Sequence, residues 1–389
     1  MNHSILTLKQ RIDALIRIAS VSSAKAEWDM GNRDVINQLA NWFEQLGFHI
    51  HIQELSANKA NLIATYGQGS GGLVLSGHTD TVPFNESRWQ YNPLQLTEAD
   101  QRWYGLGTAD MKSFFALIIE AVLPLLEQPF TAPLIILATA DEESSMSGAR
   151  ALSQQQFSQI RAAIIGEPTK LTPINMHKSI SMHALTITGQ SGHSSNPDLG
   201  RNALDAMHDM MSTLKAFRLE LGQKYKNAQF EVTIPTMNFG CIHGGDNPNR
   251  ICNSCELHFD FRGLPGMSNA DIKTQMLEKL MPIAQQHQVQ MDFTELFGGI
   301  EAFHQEKNSE LIKLAEKLTQ TETQAVAFAT EAPFLQRLGM ETVVLGPGSI
   351  DQAHQPDEYI ALDQITPTIE LLRQFISHYC LQPNKQVTP

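Results

Sequence analysis

Cysteine is scarce in this chain, with 4 among 389 residues. That excludes a disulfide-stapled framework. The one C-x-x-C, Cys252 and Cys255, has no second pair, so a four-thiolate zinc cage or an iron–sulfur cluster is excluded too. No thioredoxin-like context surrounds it. In an expected strand a spacing of three places these two on opposite faces, as core or half-buried thiols. Basic residues are also short: 28 Lys and Arg against 41 Asp and Glu leave a formal net charge of −13. That balance disfavours nucleic acid and anionic membranes as partners. Long apolar runs are missing. The longest, Phe114 to Leu126, is interrupted by Glu120 and Pro124 and is too short to span a bilayer. The first residues, MNHSILTLKQRID, lack a signal core. The expectation is a cytoplasmic protein without nucleic-acid or membrane partners. A length of 389 and a hydrophobic share of 42% allow two to three domains with a large core.

What is present is acid and imidazole in a repeated setting. LVLSGHTD, LIILATADEE and AAIIGEP each run a short β-type apolar stretch into ligand-type residues. They deliver His78 and Asp80, then Glu142 and Glu143, then Glu167. Asp110 in GTADMK and His354 in DQAHQPDE join them. Each piece alone is unremarkable, since a lone His-x-Asp or Glu-Pro usually marks a turn. Three strands offering such residues at the same end is a different matter, because α/β sheets form sites beyond the carboxyl ends of their strands. Buried carboxylates and imidazoles are costly unless something positive neutralises them.

Two divalent ions would do that. Imidazole and carboxylate without thiolate suit zinc, with cobalt or manganese as alternatives. A metal pair needs one bridging carboxylate and terminal ligands on each ion. Asp110 can bridge, with His78 and Glu167 on one ion and Glu143 and His354 on the other. Asp80 is placed to fix the tautomer of His78. Glu142 is left over, free to act as a general base.

The first half alternates helix and strand. Apolar stripes at Ile5–Ala19 and Val35–Leu46 predict helices, and Gly47 ends the second. Strands are predicted at Asn61–Tyr66, Leu73–Ser76, Leu134–Thr139 and Ala162–Gly166, with a helix at Phe114–Leu126. The fold class is therefore α/β, a mainly parallel mixed sheet flanked by helices. The pattern changes near residue 179. Strand Ser181–Gly189, helix Arg201–Leu221, strands Glu231–Thr236 and Ile251–Phe261, helix Met267–His287 and strand Gln288–Phe293 follow the order of a ferredoxin-like unit. The expected division is a metal-binding domain at 1–178 and 291–389, and an inserted lid and dimerisation domain at 179–290. Leu381–Pro389 is expected to be a polar, frayed tail.

The chain resembles the co-catalytic zinc aminoacylase/carboxypeptidase family nearly end to end. The motifs are GHTDTVP (77–83), YGLGTADMK (104–112), ILATADEES (136–144), IIGEPT (164–169), QSGHSS (190–195), GGDNPNRIC (244–252), ATEAPF (329–334) and LGPGSIDQAHQPDEY (345–359). The last three are closest to family members acting on N-acetylornithine. The resemblance implies the same ligand set, with Asp110 shared by the two ions and Glu142 as the base. It implies that His193 polarises the scissile carbonyl from the partner subunit of a homodimer. It assigns Asn249 and Arg262 to the substrate's carboxylate and carbonyl, and Arg250 flanks the same strand. The implied substrate is a small N-acyl amino acid, N-acetyl-L-ornithine. Glu331 in ATEAPF is a candidate for its side-chain ammonium, or else an acid stabilising the turn before Pro333. Ser113 and Ser179 stand where the family commonly has Gly, which bears on the local backbone.

Other readings remain. A succinyl-diaminopimelate desuccinylase or dipeptidase of the same family would share every metal ligand and differ around Thr330-Glu331-Ala332. A non-catalytic metal-binding protein would have no use for a free base at Glu142. A purely structural protein leaves the strand-end ligands unexplained.

Overall fold

The computed structural model describes residues 6–381, so Ile5 of the first stripe and residues 382–389 of the tail lie outside the described residues. Two compact units result: 1–175 with 305–324 and 330–389, and 176–304 with 325–329.

The first unit is built on a twisted sheet. Its four central strands, Leu134–Thr139, Gly72–His78, Ile160–Pro168 and Glu341–Gly346, run parallel in that order. Three of them are buried along their whole length or nearly so, as expected of strands covered on both faces. Strands His49–Glu54 and Ala60–Tyr66 extend the sheet antiparallel beside Leu134–Thr139. The helices Leu8–Arg17, Arg33–Gln45, Ser113–Val122 and Ile365–Ile376 carry apolar faces into one core with these strands. Thr7 closes the first with a capping box, and Gly47, at φ +86°, follows the second. Pro124 ends the α-helix expected to reach Leu126; it stops at Val122 and continues as a 3₁₀ turn. A small sheet unexpected from the sequence pairs Arg102–Tyr104 with Thr97–Ala99 and with Tyr359–Ala361.

The second unit runs strand, helix, two strands, helix, strand: Ser181–Thr188, Ala203–Lys224, Thr236–Gly244, Ser254–Arg262, Asn269–His287 and Gln290–Glu295. The strands form one antiparallel sheet with Thr236–Gly244 at one edge. Its core includes Leu185, Leu214, Phe217, Leu257, Phe259 and Met276. The unit extends past the expected limit of 290, because Gln290–Glu295 pairs with Ser181–Thr188. The strand expected at Glu231–Thr236 begins only at Thr236. Cys252 precedes the strand Ser254–Arg262, so no pleat separates it from Cys255, and both thiols are buried in this one core.

Ser113 and Ser179 fit without positive φ. The Ser113 hydroxyl donates to the Thr108 carbonyl, and the Ser179 hydroxyl accepts from the Gly263 N–H at 2.8 Å.

Candidate metal centre

The predicted ligands of the first unit come from the ends of central strands or the loops beyond them, except Asp110, which lies between the small-sheet strand Arg102–Tyr104 and the helix Ser113–Val122. His78 closes the strand Gly72–His78, and Glu167 lies near the end of Ile160–Pro168. Glu142 and Glu143 follow Leu134–Thr139 in a turn entered through Asp141 at φ +61°. The buried Asp141 anchors that turn, accepting from Ser22 and Ser147 hydroxyls and pairing with Lys59 at 2.7 Å. Gly166 is required beside Glu167, since a Cβ there would lie 2.3 Å from the Phe114 ring.

The ligands meet. His78 Nε2 lies 2.9 Å from Asp110 Oδ1, and His354 Nε2 lies 3.5 Å from Asp110 Oδ2. The two carboxylate oxygens of Asp110 therefore face two different imidazoles. His354 Nε2 is also 2.9 Å from Glu143. One ligand atom each from His78, Asp110 and Glu143 fall within 4.8 Å of one another, and so do those of His78, Glu142 and Glu167. Glu167 Oε1 is buried without a hydrogen-bond partner among the described residues.

The protonation pattern reflects crowded negative charge. Burial and neighbouring carboxylates push Glu142, Glu143 and Glu167 upward. His78 is held well above the ordinary imidazole range, because its burial is outweighed by Asp110 and other acids. Asp110 is pulled down against its burial by His354 and His78. The donor chemistry, the split of Asp110 toward two sides and the orphaned Glu167 oxygen all fit a pair of divalent ions. His78, Asp110 and Glu167 would hold one, and Asp110, Glu143 and His354 the other.

Asp80 acts differently from expectation. His78 Nδ1 donates to the backbone carbonyl of Asp80 at 3.0 Å, while the Asp80 carboxylate is 3.7 Å away. The carbonyl thus fixes the tautomer that leaves Nε2 as the ligand atom. The carboxylate accepts the backbone N–H of Glu142 at 3.2 Å and of Glu143 at 3.0 Å. It holds the turn that presents both acids.

Glu331 is buried in this unit, and Oε2 accepts the Thr139 hydroxyl at 2.9 Å. It makes no side-chain cap on the helix Ala332–Arg337. Burial raises its carboxyl to about 7. A pocket of about 250 Å³ beside His354 is walled by Trp28, Phe84, Trp89 and Leu106.

Sequence reasoning missed Glu358. Its buried carboxylate accepts three backbone N–H groups, from Gly107 at 3.1 Å, Ala109 at 2.8 Å and Asp110 at 3.0 Å. It ties the His354 loop to the Asp110 loop. No side-chain pattern could have shown this, because every partner is backbone and lies about 250 positions away.

The second unit brings together His193, Asn249 and Arg250. His193 and Arg250 bridge two loops, and the Ser194 N–H donates to the Asn249 carbonyl at 3.1 Å. His193 is exposed, and its Nδ1 accepts the Ser195 N–H at 3.2 Å, so the neutral ring carries its hydrogen on Nε2. Arg250 pairs with Asp246 at 2.6 Å. Arg262 is not with this group. It ends the strand Ser254–Arg262 and pairs with Asp260 at 2.8 Å.

Comparison with known proteins identifies the family. Residues 74–378 match the model of Peptidase family M20/M25/M40. The acetylornithine deacetylase of Pasteurella multocida is 48% identical over 373 residues, covering 95% of this chain and 97% of that protein. The acetylornithine deacetylase of Pectobacterium carotovorum is 47% identical over 369 residues, covering 94% and 96%. Among solved structures, aminopeptidase PepT from Bacillus cereus superposes with a TM-score of 0.75 at 20% identity, covering 96% of this chain and 98% of that one. The YXEP protein of Bacillus subtilis, described as a dinuclear metal binding peptidase, gives 0.68 at 14%, covering 96% and 97%. These two establish the shared fold. With the family model spanning the metal-centre residues from His78 to His354, this chain belongs to peptidase family M20/M25/M40.

Proposed function

We propose that this chain removes the acetyl group from N-acetyl-L-ornithine, giving L-ornithine and acetate for arginine synthesis. The carrying observation is near-full-length identity of 45–48% to relatives named acetylornithine deacetylase, on a chain that keeps a base beside its ligands. Two divalent ions, zinc with cobalt as the alternative, would supply Lewis-acid polarisation of the acyl carbonyl and a more acidic water. Glu142 takes the proton from the attacking water and returns it to the departing amine. Asp80 keeps Glu142 in place through its backbone N–H. His193 of the partner subunit donates from Nε2 to the developing oxyanion. Asn249, Arg250 and Arg262 are assigned to the substrate's carboxylate and carbonyl, and Glu331 to its ammonium. The protein is read as a cytoplasmic homodimer joined through its second unit. No described helix is long and apolar enough to cross a membrane.

The test is turnover of N-acetyl-L-ornithine beside N-succinyl-diaminopimelate and simple dipeptides. The deacetylase reading expects the highest kcat/KM on acetylornithine. Preference for either of the others would move the chain to a different specificity within its family.

A further inference from the structure

The sheet of the second unit has two unlike faces. Along Ser254–Arg262, Cys255, Leu257, Phe259 and Phe261 are buried, while Glu256, His258 and Asp260 are partly exposed. Register pairs Cys241 with His258 and His243 with Glu256 across the neighbouring strand. Directly paired residues in an antiparallel ladder share a face and stand about 4.5–5.5 Å apart. Residues two apart on a strand share that face as well. These side chains therefore make a two-by-two array on the outer face. Cys241 Sγ lies 3.0 Å from His243 Nε2, and His258 Nε2 lies 2.5 Å from Glu256 Oε1. Nothing in the proposed hydrolysis uses them.

We propose that Cys241, His243, Glu256 and His258 form a second metal site that takes one zinc-class divalent ion. One thiol, two imidazoles and one carboxylate are the donors of a closed four-ligand zinc site, and the thiolate selects a softer ion than magnesium or calcium. The donors now stand as two touching pairs, not as one converged set. Loading therefore turns the side chains inward over the sheet and releases the Cys241 proton to solvent. The benefit is local. Thr236–Gly244 is an edge strand, and its register is broken by a bulge between Phe239 and Cys241. An ion bound across the strands would pin the bulged edge to its neighbour.

Cobalt chloride titration of the reduced protein tests this. The metal centre of the first unit offers only nitrogen and oxygen, so a sulfur-to-cobalt charge-transfer band reports the second site alone. The expected result is such a band, displaced by zinc, that saturates with one cobalt per chain beyond those taken up by the centre of the first unit. It should be lost in Cys241→Ser and in His258→Ala, and retained in Asp110→Ala. Absence of the band, or its survival in Cys241→Ser, would overturn the proposal and leave Cys241 a surface thiol. Turnover of wild-type protein is read separately, so failure here is distinguishable from failure of the hydrolase assignment.

Discussion

Glu142 and Glu143 are adjacent, and both of their backbone N–H groups donate to Asp80. Their carboxylates part company. Glu143 faces His354, whereas Glu142 stands with His78 and Glu167. Glu142→Gln keeps size and removes basicity. Metal content should persist while turnover falls by about 10²–10⁴-fold, the usual worth of a general base; near-normal turnover would assign the proton to another group. Asp110→Ala, in contrast, should lose at least one ion and nearly all activity by metal analysis, because both imidazoles face that one carboxylate. Glu331 carries a subtler expectation. A fixed carboxylate offsets the repulsion between a substrate ammonium and two metal cations. Glu331→Gln should therefore lower kcat/KM on acetylornithine more than on acetylmethionine. An equal loss on both would mark Glu331 as a support for the Thr139 strand end.

At the scale of elements, the strands were legible because apolar runs ending in acids mark them directly. His78, Glu142, Glu143 and Glu167 could be named from that context, and Asp110 and His354 were added to them as further acid and imidazole. Contacts to backbone could not be. The true partners of the Asp80 carboxylate are N–H groups more than 60 positions away, and those of Glu358 are farther still. The segment near Glu231 alternates like a strand, yet the sheet takes up only Thr236 onward, since pairing with Arg262 begins there. Glu358 gives this a measurable form. Glu358→Ala leaves three buried donors unpaired, each costing roughly 1–3 kcal/mol. Glu358→Gln keeps an oxygen for Ala109 and Asp110 and turns an amide toward Gly107. Chelator competition should rank metal retention as wild type, then Gln, then Ala. Equal retention in all three would make the clamp irrelevant to the centre.

The second unit buries a histidine of its own. His183 is buried between Phe259 and Phe293, and burial lowers its imidazole to about 4. The unfolded chain, at about 6.5, binds that proton first. Stability from the neutral ring is therefore full above about pH 6.5 and is lost as pH falls toward 4. Thermal unfolding of His183→Phe should show a shallower acid decline than wild type across that window. Parallel declines would place the acid sensitivity elsewhere, for instance in the metal centre.

At the scale of the whole molecule, the residues proposed for catalysis are divided between two units of one chain. Glu142 and the proposed metal ligands belong to the first, while His193, Asn249 and Arg250 belong to the second. If His193 serves the partner's site, each active site of a homodimer draws on both chains. Glu142→Gln and His193→Ala homodimers would then each lack one part in both sites. A mixed dimer would pair the intact Glu142 of the His193→Ala chain with the intact His193 of the Glu142→Gln chain, completing one site of two. Co-refolding the inactive variants should restore up to about half of wild-type activity per mixed dimer, since oxyanion donors of this kind contribute large factors to turnover. Mass measurement would establish that the mixed dimer formed. A mixed dimer without recovered activity would put His193 in its own chain's site or outside the chemistry, and a monomeric active enzyme would remove the need for a partner altogether.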